Sequence, residues 1–467
     1  MSATVADVAK RIGAELIGQP RSDALLSDAT HDSRQVESGW LFCCAPGENA
    51  DGHDFAAGAV ESGASALLVE RHVDLDCPQL LVPNVRAAMG PASAAVHDDP
   101  SAALTVVGVT GTNGKSSIVQ LMSDIWRQVG TEAEILGTLV GSRTTPEGTD
   151  LQRSFRHAAD RGIEAMAIEV SSHALSLGRV AGTRFACAVF TNLTQDHLDF
   201  HGTMDDYFEA KASLFVPELT DAAVVNRDDP YGQRLLERSS VPTVSYGLAD
   251  AKDLVFDGAT SRFRWRDQPV TLQLAGSHNV LNSLAAASCA ELLGIGAVDI
   301  ADALCATSPV RGRFEAVDAG QPFHIAVDYA HTPDALRAAL VAARQVARDR
   351  RVILVFGCGG DRDPDKRADM GTIAEQGADL IMVTSDNPRS EDPNAIIDDI
   401  LAGIDSEDRV TVEPDRQAAI TAAIGAASDG DLVLIAGKGH ETYQVIGDRT
   451  VDFDDREAAL IALGVVA

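Results

Sequence analysis

The sequence predicts an α/β protein of three successive units built on parallel sheets covered by helices, and three observations carry that expectation. Short β-branched runs alternate with Ala- and Leu-rich stretches of helical spacing, the runs falling at 104–109, 165–170, 188–190, 222–225, 351–356, 380–384 and 432–436. Two clusters of turn formers interrupt the alternation, His97-Asp98-Asp99-Pro100 ahead of the 104–109 run and Thr307-Ser308-Pro309 ahead of Arg311. The length of 467 residues exceeds what one hydrophobic core organises. The breaks divide the chain into 1–98, 99–309 and 310–467, with no internal repeat or low-complexity tract between them. The first unit is too short to be more than a binding module.

Hydrophobic residues make up 45% of the chain and charged residues 23%, an ordinary globular balance that excludes a disordered chain. The formal charge of −31 argues against nucleic-acid or acidic-membrane binding through net electrostatics. It says nothing about substrate, because a phosphate cleft can be locally positive on an acidic protein. Asp7, Lys10, Arg11 and Glu15 break the start of the chain, and no later run reaches the ~20 apolar residues of a membrane helix. A cytoplasmic protein without membrane insertion is expected. Seven cysteines with no C-x-x-C pair fit neither a disulfide framework nor a zinc cluster and read as small buried residues.

The first run leads directly into Thr110-Gly111-Thr112-Asn113-Gly114-Lys115-Ser116-Ser117, after which Ile118, Leu121, Met122 and Ile125 announce a helix. A strand, a glycine loop and a helix suit a phosphate site, with a glycine-rich turn that binds no nucleotide as the alternative. The glycines let backbone N–H groups turn toward phosphate oxygens at the helix N-terminus, Lys115 adds a charge, and the Ser116 hydroxyl can ligate magnesium. The strict Walker spacing asks for glycine at 109, where this chain has Val109. Glu169-Val170-Ser171-Ser172-His173 and Asn192-Leu193-Thr194-Gln195-Asp196-His197 follow the next two runs, at the carboxyl ends where open α/β sheets gather ligands. A carboxylate and a histidine there can complete magnesium coordination beside ATP, or be plain polar loop residues.

The loop is similar to the T-G-T-N-G-K-[S/T] variant of the Mur ligases and the related folylpolyglutamate synthetases. The E-V-S-S-H and N-L-T-x-D-H segments, Tyr207 to Phe215 (Y-x-x-A-K-x-x-L-F), Gly276 to Asn282 (G-x-H-N-x-x-N), Gly312-Arg313-Phe314-Glu315 and Asp328-Tyr329-Ala330-His331 resemble further motifs of that family in the same order. The resemblance runs from Asp32 to Glu441. It implies a uridine-nucleotide-binding domain, a central P-loop-type ATPase domain and a C-terminal Rossmann-like domain that closes over the site. It also implies an ATP-dependent ligase, in which ATP phosphorylates a carboxylate and an amine then displaces phosphate to give an amide. On the family pattern, Gly111, Thr112, Asn113, Gly114, Lys115, Ser116, Ser117, Asn279, Arg313 and Asp328 hold ATP. Ser116, Glu169, His197 and a carbamylated Lys211 hold magnesium, and Lys115 joins the last three as the catalytic set. Without the resemblance, Lys211 reads as a solvated lysine, Asn279 as an N-cap, Arg313 as half of an interdomain ion pair and Asp328 as a helix cap.

The same resemblance implies that Ser33, Thr144, Thr145, Ser171 and Arg179 contact a UDP-muramoyl peptide, UDP-N-acetylmuramoyl-L-alanyl-D-glutamate, with turns and caps as the alternative. Thr384-Ser385-Asp386-Asn387-Pro388-Arg389 is a dense polar turn after a strand, and it resembles the motif of diaminopimelate-adding members of the family. An arginine there suits a distal carboxylate that lysine lacks. Arg367, Asp386, Asn387, Pro388, Arg389, Gly437 and Glu441 are thereby implied to hold meso-diaminopimelate. The expectation is a monomeric, magnesium-dependent ligase of peptidoglycan precursor synthesis. The competing expectations are a same-fold ligase adding lysine or another amino acid, a folate-glutamate ligase, and a noncatalytic nucleotide-binding regulator.

Overall fold

The computed structural model describes residues 3–18, 23–47, 50–141, 143–257, 260–307 and 311–465. Ser308 and Pro309, where the second break was expected, lie outside them. Three sheets follow one another along the chain. The first has the order Glu15–Ile17, Gln79–Leu81, Ala66–Val69, Trp40–Cys43, Asp28–Thr30, parallel except for its first strand.

The central sheet has six parallel strands in the order Thr243–Tyr246, Ala223–Asn226, Cys187–Phe190, Thr105–Thr110, Ala165–Glu169, Ala133–Leu136. Its strands read as unbroken apolar runs because both faces are covered. Val107 and Val109 pack with Ile118, Met122 and Leu284 on one face, while Val106 packs with Leu151 and Phe155 on the other. The last sheet has the order Glu315–Ala316, His324–Asp328, Leu432–Ala436, Val352–Phe356, Leu380–Val383, Val410–Val412, with only the first strand antiparallel. There Leu354 and Phe356 face one core, and Ile353 and Val355 the other.

The predicted runs at 104–109, 165–170, 188–190, 222–225, 351–356, 380–384 and 432–436 are all strands, shifted at their ends by no more than a residue. A departure from the parallel expectation is the meander of Lys252–Asp257, Thr260–Trp265 and Gln268–Leu272, which is antiparallel. Along Thr260–Trp265 buried and more exposed residues alternate, since only one face of the meander packs on the central domain. Six of the seven cysteines are buried, as expected. No helix among the described residues is long and apolar enough to cross a membrane.

What positions the site is the direction of the strands. The segments at 111–115, 170–173, 191–197, 329–331, 357–363, 384–389 and 437–441 all leave the carboxyl ends of parallel strands, and the central and last sheets turn those ends toward each other. Beneath the last sheet's edge, Arg416 and Asp455 form a fully buried ion pair at 2.7 Å. Arg416 also donates to Ala436 O at 2.9 Å, tying the end of that strand in place. Burying a charge is tolerable here because every partner is supplied.

Candidate active site

The phosphate loop bends between strand Thr105–Thr110 and helix Lys115–Gln128. Gly111 (φ +146°) and Gly114 (φ +91°) have backbones that side chains rarely adopt, and a Cβ would meet Thr191 Oγ1 at 1.8 Å or Asn282 Oδ1 at 2.4 Å. Their neighbours brace the loop. Asn113 N donates to Asn192 Oδ1 (2.9 Å), Thr112 N to Asn192 O (2.9 Å), and Thr191 Oγ1 to Asn113 O (2.6 Å). Lys115 Nζ donates to Gly111 O and Thr112 O at 2.9 and 2.8 Å, so its charge sits on the loop. Burial lowers its pKa, opposed by Glu169 and Asp196.

Around the helix start, Ser116 Oγ is 3.1 Å from Thr138 Oγ1 and accepts from Arg313 NH2 at 3.1 Å, a contact that crosses from the C-terminal domain. Glu169 Oε1 accepts from Thr138 N and Oγ1 at 2.9 and 3.0 Å. The acceptor Asp328 is buried and takes Phe314 N at 2.7 Å and Ala330 N at 2.8 Å, which fixes the backbone on either side of Arg313 and Tyr329. Burial raises the Asp328 pKa, opposed by Arg313. Arg313 stacks 4.8 Å above the Tyr329 ring.

Lys211 is not solvated. It is 1% exposed, donates to Gly111 O at 2.9 Å and lies 4.7 Å from the Tyr207 ring centroid. Burial lowers its pKa well below that of an ordinary lysine, Lys115 adds to the effect, and Asp196 opposes it. His197 adopts φ +55° and lies 3.4 Å from Asp196, its ring edge-on to His173 at 4.8 Å. Partial burial pulls its pKa down to about 4 despite Asp196, so the imidazole is neutral near pH 7.

Two cavities meet at the loop. The larger, of about 500 Å³, gathers Thr112, Lys115, Ser116, Glu169, His197 and Thr144 from the central domain with Asp386, Asn387, Arg389, Gly437 and Glu441 from the C-terminal one. The smaller, of about 260 Å³, is lined by Ser117, Asn279 and Asp328, and both share Asn113, Gly114 and Arg313. A nucleoside in the smaller cavity would place its phosphates at the shared residues. Sequence reasoning missed Asn226, Tyr246, His278 and Asn282 in the small cavity, and Thr138, His173, His331 and Lys366 in the large one. The histidine and asparagine of Gly276 to Asn282 were visible as motif letters, whereas Asn226, Tyr246 and Thr138 belong to no motif and come in only through the sheet order.

Other predicted residues lie outside both cavities. Ser33 sits in a short turn of the first domain. Thr145 and Ser171 serve the backbone: Thr145 Oγ1 donates to Glu169 O (2.8 Å), and Ser171 Oγ caps Ala174 N (3.1 Å). Arg179 is paired with Glu147 at 2.8 Å. Arg367 is 3% exposed at its side chain and spans Glu391 (2.9 Å) and Asp399 (2.8 Å), so its charge is already matched. Pro388 shapes the turn, its carbonyl packed so closely on Gly360 that a Cβ there would come within 2.0 Å.

The wall of the cleft supplied by the C-terminal domain is held by hydrogen bonds. Asn387 Nδ2 donates to Glu441 Oε2 at 2.8 Å, Lys438 Nζ lies 3.2 Å from the same oxygen, and Val445 N donates to Asn387 Oδ1 at 3.0 Å. Arg389 takes φ +51°, its N donating to Val445 O (3.0 Å) and its NH1 to Gly360 O (2.7 Å). This holds the guanidinium at the cleft wall.

A phosphate loop, a cation delivered from a second domain and a two-cavity cleft between parallel sheets suit a nucleotide-using enzyme, and the chain belongs to the Mur ligase family. Three family models match it: the Mur ligase family catalytic domain over residues 28–111, the Mur ligase middle domain over 109–290 and the Mur ligase glutamate ligase domain over 312–439. It is 47% identical to the UDP-N-acetylmuramoyl-L-alanyl-D-glutamate–2,6-diaminopimelate ligase of Geobacillus kaustophilus, over 92% of this chain and 94% of that one. It is 43% identical to the ligase of the same description from Syntrophomonas wolfei, over 94% of each. A solved structure of a ligase so described superposes with a TM-score of 0.71 at 32% identity, covering 99% of both chains. MurF from Acinetobacter baumannii, at 21% identity and a TM-score of 0.69 over 94% of this chain and 96% of that one, shares the fold.

Proposed function

We propose that the protein joins meso-diaminopimelate to UDP-N-acetylmuramoyl-L-alanyl-D-glutamate at the expense of ATP, in the cytoplasmic synthesis of peptidoglycan precursor. The observation that carries this reading is the single cleft in which Lys115, Ser116 and Glu169 face Asn387, Arg389 and Glu441. Adenosine occupies the smaller cavity and the phosphates lie along 111–116. The glutamyl γ-carboxylate attacks the γ-phosphorus, ADP leaves, and an acyl phosphate forms. Lys115 and Arg313 offset charge on the transferring group. The amine of diaminopimelate then attacks the acyl carbon, phosphate departs with the original carboxylate oxygen, and the nitrogen loses a proton. Arg389 grips the distal carboxylate in two-point fashion, and Glu441 faces an ammonium.

Magnesium fits the residues present. The hydroxyl of Ser116 and the carboxylate of Glu169 are hard oxygen donors, and Glu169 commits only Oε1 to Thr138. Among the described residues no group of three or more His, Cys, Asp or Glu side chains is placed to hold an ion by itself. Ser116, Glu169, His197 and Lys211 would hold two such ions between them, Lys211 serving the second after its neutral amine adds to carbon dioxide, giving a carbamate and a proton. When bound, the metal supplies positive charge to the phosphates.

The test is isotopic. With the glutamyl γ-carboxylate labelled with ¹⁸O, ATP, magnesium and diaminopimelate, one labelled oxygen is expected in each phosphate released with the amide product. Unlabelled phosphate, or ATP hydrolysis without amide, overturns the reading.

A further inference from the structure

Where the first domain meets the central one, three arginines converge on one buried carboxylate. Arg143 NH1 and Arg179 NH2 lie 2.6 and 2.8 Å from Glu147 Oε1, and Arg86 NH1 lies 3.9 Å from Oε2. The Glu147 side chain is 7% exposed, and its Oε2 has no hydrogen-bond donor. Three guanidinium charges against one carboxylate leave positive charge in excess, which is costly in a partly desolvated place unless a further anion joins. The crowding registers on Arg179. Burial lowers its pKa, and Arg143 and Arg86 lower it further against the pull of Glu147.

The cluster is held in register across the domain boundary. Helix Val85–Val96 of the first domain packs on helix Gly148–Asp160 and on residues 179–182 without room for a side chain. A Cβ on Gly90 would meet Ala181 O at 2.3 Å, and one on Gly182 would meet Pro91 Cα at 2.8 Å. Arg86, one turn before Gly90, is therefore fixed opposite Arg179, and its Nε donates to Pro46 O at 2.8 Å. Arg179 NH1 reaches Thr145 O at 3.4 Å, and neighbouring Thr144 lines the large cleft. The arginines thus stand at the cleft's edge on the side of the first domain.

We propose that Arg86 and Arg143 complete, with Arg179, an anion cradle for the nucleotide-peptide substrate, with Glu147 as an internal stand-in anion that keeps the three guanidiniums together. The inference rests on the ligase reading above, because the ligand is that reading's substrate. Two of its anionic groups have the required chemistry: the diphosphate, and the glutamyl carboxylate that is not phosphorylated. Planar guanidiniums match either one through paired hydrogen bonds.

The experiment is calorimetric binding of UDP-N-acetylmuramoyl-L-alanyl-D-glutamate without ATP, so that the outcome does not depend on turnover. Arg143→Ala and Arg86→Ala are each expected to weaken binding by about 10- to 100-fold, the scale of a lost hydrogen bond to a charged group. Binding of a nonhydrolysable ATP analogue should stay within about two-fold of wild type. More than half of the Arg143 side chain is exposed, so that variant keeps its fold, and thermal unfolding checks the Arg86 variant. A substrate with its second carboxylate amidated tells the two anions apart. If Arg143 grips the carboxylate, Arg143→Ala costs nothing further with the amidated ligand; if it grips the diphosphate, the two losses multiply. Wild-type affinity in both alanine variants overturns the cradle and leaves the ligase reading standing. Wild-type protein that binds this substrate without ligating it overturns the ligase reading alone, and protein that does not bind it overturns both.

Discussion

Lys115→Met is expected to lower kcat by about 10³-fold, the scale seen when one preorganised charge is removed from a transition state. The prediction follows from where the ammonium sits. Lys115 Nζ lies on the phosphate loop, held by Gly111 O and Thr112 O, and the carboxylates of Glu169 and Asp196 act on it through space. Without that cation, the charge on the transferring phosphoryl group faces those carboxylates with less to offset it. Methionine keeps the unbranched shape of the side chain and ends one atom short, without the ammonium, so thermal stability should change little. Most of the effect should fall on kcat rather than on the KM for ATP, because the loop's backbone and the small cavity still bind the nucleotide. Phosphate-release kinetics beside a melting curve measure both. A variant with wild-type kcat would remove Lys115 from the chemistry.

Arg389→Ala is expected to reduce kcat/KM for diaminopimelate by about 10²- to 10³-fold, since the proposed guanidinium–carboxylate contact loses one partner. The arginine is positioned by its own backbone, with N bound to Val445 O and NH1 to Gly360 O, and this leaves the rest of the guanidinium for the cleft. Arg389→Lys should fail to rescue, because an ammonium cannot make the paired, planar contact to a carboxylate. The KM for ATP should not move, as the nucleotide cavity is lined by none of residues 386–389. Equal losses for ATP and diaminopimelate would instead point to a general distortion of the turn.

How much of this was legible in the sequence depends on how local each feature is. The phosphate loop could be read directly, because strand, glycines, lysine and helix follow one another within 25 residues and each has its own chemical signature. The predicted strands of the parallel sheets were legible for the same reason: burial on both faces writes a continuous apolar run. The antiparallel meander was not recognised as such, though the alternation in Ser261 to Trp265 carries its mark.

Long-range pairing was beyond reach. The family resemblance implied that Arg367 holds diaminopimelate, and only the fold brings Glu391 and Asp399 against it. Lys211 looked solvated because its helix carries Asp205, Asp206 and Glu209, yet its own face turns into the loop. Arg86, Arg143 and Glu147 were unremarkable letters until helix Val85–Val96 packed on the central domain. Sequence patterns report what a residue's neighbours in the chain require, and apart from the Arg143–Glu147 contact, four positions apart, these groups answer to neighbours dozens of positions away.

On this reading the cleft selects diaminopimelate for addition to the nucleotide dipeptide. The measurement that tests it most directly supplies purified protein with UDP-N-acetylmuramoyl-L-alanyl-D-glutamate, ATP, magnesium and equal concentrations of meso-diaminopimelate and L-lysine, and reads the product masses. The diaminopimelate tripeptide is expected in at least a 100-fold excess, the discrimination that a paired arginine–carboxylate contact provides. A product mixture near parity, or one dominated by lysine, would contradict it.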